Sequence, residues 1–297
     1  MKTIISSLLL AGLCFTQAFS AEEKAAAAAA RTFPNPIAAA DAFVDALKTG
    51  ETPPLLEIFG SEHKDAIGTA DPERDREFRA RVAKMSTERR RFRINDDGSV
   101  TMVVGFAAWP FPIPLVKGEA GWSFDTAAGV GELLKRRIGE NELSAIATLK
   151  AYVGAQREYA SEPRDGTEVR QFAAKLRSTE GKKDGLYWAA KEGEAPSPAG
   201  AGITDSSTPH GGYHFKILTA QGAAAPAGKY NYVINGRLIG GFAMVAWPDE
   251  YGKSGVMTFV VNHYGDIYQK DLGQKSASLA SAIAEYNPDK SWTKVAE

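Results

Sequence analysis

Apolar residues recur every three or four positions through the first part of the chain. Ile37, Ala40, Phe43, Val44 and Leu47 share one helical face, opened by Asn35-Pro36 as cap and first turn and closed at Gly50. Pro53-Pro54 opens a short second helix carrying Leu55, Leu56, Ile58 and Phe59. Phe78, Val82 and Met85 mark one face of a third helix over about 73–86. The period then shortens to two. Residues 91–94 alternate, Asp96-Asp97-Gly98 is a turn, and 100–107 reads as a mostly apolar strand. Segments 112–117 and 121–125 frame a further turn at 117–120. Helices first and a strand meander after them is the order of an α+β unit, with helices packed on one sheet face.

The pattern changes again in the second half. Residues 126–140, with Leu133, Leu134 and Arg136-Arg137, read as a turn and short helix connecting two units. A long helix is predicted from Asn141, with Leu143, Ile146, Leu149, Tyr152 or Val153, and Gln156 at successive turns, ending near Ser161-Glu162-Pro163. Asp165-Gly166 turns the chain into another helix with Val169, Phe172, Ala173 and Leu176. The Gly-, Pro-, Ser- and Ala-rich stretch 191–212 reads as a surface loop. Three β runs follow: 213–219, a hairpin over 230–247 through Asn235-Gly236, and a hairpin over 256–271 turning at 264–266. Residues 275–286 close with a short helix. The fold class predicted is therefore α+β in two units, each of helices followed by a small antiparallel sheet. The first unit spans 33–126, the connector 127–140 and the second unit 141–297.

The first twenty residues carry an address. Lys2 precedes an apolar stretch at 4–15 broken only by Ser6 and Ser7, and Ala18-Phe19-Ser20 puts small residues at the −3 and −1 positions before Ala21. This predicts a signal peptide over 1–20, export to the periplasm or beyond, and a flexible leader over 21–32 that contains the alanine run 25–30. Ala11-Gly12-Leu13-Cys14 resembles a lipid-attachment box, but Leu13 stands where a small residue is expected. Cleavage after Ser20 removes Cys14, the single cysteine, so the mature chain has no disulfide, thiol nucleophile or thiolate metal site. The 297 residues are 44% hydrophobic and 24% charged, a globular composition rather than a disordered one. Lys and Arg total 35 against 36 for Asp and Glu. With no basic excess, no nucleic-acid partner is expected, and the mature chain holds no predicted transmembrane segment.

Longer motifs carry a family resemblance. Trp109-Pro110-Phe111-Pro112-Ile113-Pro114-Leu115-Val116-Lys117 is followed by Trp122-Ser123-Phe124-Asp125-Thr126-Ala127-Ala128-Gly129. Further along come Gln156-Arg157-Glu158-Tyr159-Ala160, Asp184-Gly185-Leu186-Tyr187-Trp188, and Val256-Met257-Thr258-Phe259-Val260-Val261-Asn262-His263. In this order they resemble the bacterial secreted family called "domain of unknown function 2950", over essentially the mature chain. The resemblance implies membership but supplies no activity, cofactor or catalytic residue. One departure is the loop after the long helix, often richer in Asp and Gly in the family, where this chain has Arg164-Asp165-Gly166-Thr167-Glu168. The first unit also resembles a nuclear-transport-factor-like cone, and the second the soluble part of type II secretion pseudopilins. Both are likenesses of fold and carry no function.

Motifs for specific chemistry are incomplete. Gly129-Val130-Gly131 has Leu134 at the third glycine position of a dinucleotide loop, and Gly181-Lys182 has Leu176 where a phosphate loop needs glycine. Gly252-Lys253-Ser254-Gly255-Val256 has valine where a nucleophile elbow needs glycine. His63, His210, His214 and His263 form no paired helical motif, and a cluster of the last three is outweighed by ordinary hydrogen-bonded histidines. No metal, cofactor or catalytic residue is assigned. The remaining signal is aromatic. Trp188, Tyr213, Trp247 and Tyr251 lie at strand ends or in loops, beside Asp184, Asp249 and Glu250. Such residues either fill cores and seal contacts or stack on sugars and peptides, and these four are the candidate binding residues. The function expected is that of an exported envelope protein, a non-enzymatic binding or structural module for a partner protein or polymer. The alternative is a hydrolase acting on an envelope polymer, with an acid/base site between the units.

Overall fold

The computed structural model describes residues 30–69, 71–164, 166–200 and 207–296. The predicted signal peptide, Cys14, most of the predicted leader and Asp165 lie outside the described residues.

Helix α1 (Pro36–Thr49) forms where local chemistry asks for it. The Asn35 side chain accepts the Ala38 N–H at 2.9 Å, Pro36 occupies the first turn, and Gly50 at φ 74° closes the end. Ala39, Ala40, Phe43, Val44, Ala46 and Leu47 are buried. Ile37 is 57% exposed, so the first turn stands clear of the core, and Ala39 takes the inward position instead. Helices α2 (Pro53–Phe59), α3 (Lys64–Ile67) and α4 (Pro72–Glu88) follow, the last capped by Asp71 accepting the Arg74 N–H. Strands β1 (Arg90–Ile94), β2 (Val100–Val104), β3 (Trp109–Pro110), β4 (Leu115–Gly118) and β5 (Gly121–Phe124) form an antiparallel sheet of order β1-β2-β4-β5, with β3 also paired to β2. Phe33 exchanges both backbone hydrogen bonds with Trp122 at 2.7 Å and ties the chain start to β5. The core between helices and sheet is aromatic: Phe43 lies 4.6 Å from Phe111 and 5.4 Å from Phe59, ring centre to ring centre.

The largest departure from the sequence pattern comes next. Residues 126–140 do not form a turn and short helix. They are the first part of one 34-residue helix, α5 (Thr126–Tyr159), about 50 Å long at 1.5 Å per residue. Asp125 caps it by accepting the Ala128 N–H at 3.1 Å. The glycines that suggest a break have another use. A Cβ on Gly129 would stand 2.6 Å from the Ile113 Cα, so this glycine lets the helix press against the backbone of the bend between β3 and β4. Gly131 and Gly139 meet nothing within 4 Å and are simply tolerated inside the helix.

The first part of α5 is fastened under the first core by Thr126 Oγ1 donating to Phe59 O at 2.8 Å and Arg136 donating to Pro110 O at 2.6 Å. Its second part packs on another sheet, burying Leu149, Tyr152, Val153 and Tyr159. No helix forms over 166–176. The Phe172 N–H goes to Leu238 O at 2.8 Å and the Ala173 N–H to Gln156 Oε1 at 2.8 Å, so tertiary partners claim the amides a helix would need.

The remaining elements are β6 (Tyr213–Leu218), β7 (Ala220–Gln221), β8 (Tyr230–Asn231), β9 (Val233–Ile234), β10 (Arg237–Leu238), β11 (Ala243–Pro248), β12 (Met257–Asn262), β13 (Ile267–Asp271), α6 (Ser276–Ser281) and β14 (Thr293–Lys294). The main sheet is antiparallel, of order β14-β13-β12-β11-β6. The hairpin over 256–271 is present as β12–β13. The one through Asn235-Gly236 shrinks to the two-residue strands β9 and β10, and β11 instead pairs β6 and β12. Both α5 and α6 pack against β11, an inner strand, and every one of its residues is buried. The class is α+β. Buried apolar residues fall into two clusters, one within 33–124 and one within 145–286, and α5 runs between them. Among the described residues no helix is long and apolar enough to cross a membrane.

Candidate functional site

Three of the four candidate aromatics are interior. Tyr213 is buried and donates its hydroxyl to Met257 O at 3.0 Å. A Cβ on Gly255 would stand 2.1 Å from that hydroxyl. Burial pushes the phenol's pKa up, and Glu142 adds to the effect. Trp247 is buried in a 5.5 Å stack with His214. Trp188 is buried elsewhere, under the Arg164 guanidinium at 5.3 Å and the Lys183 ammonium at 5.4 Å. Tyr251 is half-buried, its hydroxyl donating to Asp271 Oδ2 at 3.2 Å. The register of β6 and β11 pairs Trp247 with His214 and Tyr213 with Pro248, so Tyr213 and Trp247 point to opposite faces of the sheet, with Tyr251 in the turn beyond. Trp188 belongs to a different neighbourhood, with Asp184 close by in sequence. The anticipated open aromatic surface therefore does not form, because strand ends here point into the core.

A cleft of about 1160 Å³ opens instead where α1, α2 and α4, the first part of α5, and the segments 208–212 and 249–254 meet. Its floor is apolar, with Phe43, Phe59 and Phe111. Its walls are charged. From α4, the buried Arg79 donates to Gly50 O and to Thr52 Oγ1, both at 2.8 Å, and stands 3.9 Å from Asp75. Asp75 accepts from Thr69 through its N–H at 2.7 Å and its hydroxyl at 2.9 Å. From α5, Arg136 pairs with Glu132 at 2.7 Å and lies 5.1 Å from the Trp109 ring. Arg137 donates to Ala66 O at 2.5 Å. Burial lowers the Arg137 pKa, Asp75 opposes that shift, and Arg74 reinforces it. The Arg74 side chain makes no hydrogen bond or ion pair among the described residues.

The far wall is tied to α5 by local geometry. The buried Asn141 donates to Ser254 O at 2.7 Å, and Gly212 at φ 79° leaves room for that amide, since a Cβ there would stand 2.5 Å from Asn141 Nδ2. Glu142 accepts the Val256 and Met257 N–H groups at 2.9 and 3.0 Å. His214 Nε2 and Asp249 Oδ1 are 2.7 Å apart, and Lys253 pairs with Glu250 at 2.7 Å. Glu250 raises the Lys253 pKa, with Asp65 of α3 adding to it. Four of the carboxylates lining the cleft are committed, while Glu51, Asp65 and Glu77, also in its lining, make no side-chain hydrogen bond or ion pair among the described residues. Asp75 is engaged by Thr69, Glu140 by Arg81, Glu250 by Lys253 and Asp249 by His214.

A family model described as "Protein of unknown function (DUF2950)" matches residues 30–295. The chain belongs to this family. No match was found among curated proteins or among solved structures. In this DUF2950 chain no group of three or more His, Cys, Asp or Glu side chains among the described residues is placed to hold a metal. His263 packs against Tyr264 at 4.3 Å, in a different setting from the His214–Asp249 pair.

The cleft residues that pattern reading passes over are Arg74, Asp75, Arg79 and Asn141. One signal for them exists in the sequence. Arg79 interrupts the apolar face of α4 between Phe78 and Val82, and a charge there needs a buried partner. Asp75 is one helical turn before it.

Proposed function

We propose that this protein is exported, acts in the cell envelope, and is a non-enzymatic binding module that takes a partner protein or polymer into the cleft. The signal features of residues 1–20 support the export, with the mature chain starting at Ala21. The two sheets with their separate cores act as two units, and α5 is the shaft that holds their facing surfaces at a set distance. What carries the reading is the cleft itself: about 1160 Å³, apolar below and charged above. Leu133→Trp tests it, because Leu133 is half-buried on the cleft wall and outside both cores. The indole should abolish co-purification of the crosslinked partner while the melting temperature stays within a degree or two of wild type. Partner recovery unchanged at full folding would contradict the reading.

The hydrolase alternative rests on one feature, the imidazole of His214 held by the Asp249 carboxylate at 2.7 Å. An envelope-polymer hydrolysis assay of Asp249→Asn addresses it. Activity present in wild type and lost in this variant would favour catalysis over binding.

A further inference from the structure

Arg74 and Arg137 reach the same cleft from different helices, α4 and α5. Both are half-buried, and neither has a carboxylate within ion-pair distance among the described residues. Arg137 spends one N–H on Ala66 O, and Arg74 spends no side-chain donor at all. Asp71, the acid nearest Arg74 in sequence, is turned to the helix start, where it accepts the Arg74 backbone N–H. Asp75 is shared with Arg79 and already accepts twice from Thr69. At ion-pair distance Asp75 meets Arg79 alone, so Arg74 and Arg137 lie unbalanced by close contact, although Asp65 and Glu77 also line the cleft. Desolvating like charges side by side is unfavourable unless something negative comes between them.

The position of Arg74 adds to this. A Cβ on Gly211 would stand 3.6 Å from Arg74 Nη1 and 3.2 Å from Ser144 Oγ, so the guanidinium spans from α4 to the segment leading into β6. Gly211 and Gly212, at φ 59° and 79°, form the tight turn that brings this backbone so close. Phe78, Trp109 and Leu133, all half-buried, offer apolar area on the same cleft.

We infer that Arg74 and Arg137 form a clamp for an oxyanion, a phosphate or carboxylate carried on a ligand whose apolar body lies against Phe78, Trp109 and Leu133. This rests on the cleft being the binding site. Planar guanidinium forks grip two oxygens at once, a geometry lysine does not reproduce. Filling the gap between α4 and α5 also ties the first sheet's helices to the shaft and to the 208–212 segment.

The test is calorimetric titration of the purified mature chain with phenyl phosphate, benzoate and inorganic phosphate, at constant ionic strength set with chloride. Phenyl phosphate or benzoate should bind saturably at one site, more tightly than inorganic phosphate, and the better of the two identifies the anionic group. Arg74→Gln should weaken that binding about tenfold or more, the scale of one lost charged hydrogen bond, with no loss of melting temperature. Arg74→Lys should recover only part of it. Absence of saturable binding by all three probes, or equal binding by Arg74→Gln, overturns the clamp. If the probes fail while Leu133→Trp still abolishes partner recovery, the clamp is wrong and the cleft stands. If both fail, the cleft reading falls as well.

Discussion

Replacing Gly129 by alanine should destabilise the protein, although the same change elsewhere in α5 should stabilise it. In an exposed helix interior, Gly→Ala is worth roughly 0.8–1 kcal/mol in alanine's favour. Gly131→Ala is the matched control, since its added methyl meets nothing within 4 Å and should raise stability by about that amount. At Gly129 the methyl would sit 2.6 Å from Ile113 Cα and 2.8 Å from Pro112 O. Those are backbone atoms, which cannot swing aside. The helix must move off this bend by about an ångström, disturbing a packed core at a typical cost of about 1–3 kcal/mol, which matches or exceeds the propensity gain. The net expectation is up to about 2 kcal/mol of destabilisation, and a difference of about 1–3 kcal/mol between the two variants. Urea denaturation followed by circular dichroism would resolve it, with the slope unchanged if the cooperative unit is unchanged. Equal stabilisation by both substitutions would refute the close contact of α5 with the bend at residues 112–113, and with it the placement of Arg136 and Arg137 in the cleft wall.

Trp247→Ala should cost about 3–5 kcal/mol of stability, as expected for a buried tryptophan, whereas Tyr251→Ala should cost only about 1 kcal/mol. Partner recovery per folded molecule should be unchanged in both; a stable Trp247→Ala variant that loses its partner would return this residue to the binding surface. Burial opposes ionisation of Asp184, but Lys175 and the N–H and hydroxyl of Thr179 outweigh it and hold the carboxyl at about 2. A depressed carboxylate stabilises the fold above its unfolded pKa, near 4, and loses that contribution as pH falls through about 2. Acid denaturation of Asp184→Asn should therefore show a shallower fall in stability over that window than wild type, and parallel curves would contradict the assignment.

How much of this is legible in the chain depends on whether the cause is local. The ends of α1 are, because Asn35, Pro36 and Gly50 act on their immediate neighbours. So is the β12–β13 hairpin, whose alternation and turn sit within one short segment. The start of α5 is not: Gly129 looks like a breaker until Ile113 is seen packed against it. A helical spacing over Val169, Phe172, Ala173 and Leu176 misleads because Gln156 and Leu238 take the backbone groups. Trp188, Tyr213 and Trp247 stand at positions that strand ends share with open surfaces, and only the partners Arg164, Met257 and His214 reveal them as interior. The cleft is the least legible feature. Its walls depend on the unbroken course of α5, which brings Arg137 and Asn141 within reach of segments far away in sequence.

Site-specific photo-crosslinking in cells that produce the protein tests the central claim most directly. A photoreactive residue at position 133, on the cleft wall, should yield one defined adduct with a partner protein or polymer. The same residue at position 94, where Ile94 is 77% exposed on β1 and outside the cleft lining, should yield none. Adducts from position 94 with none from position 133 would contradict the account.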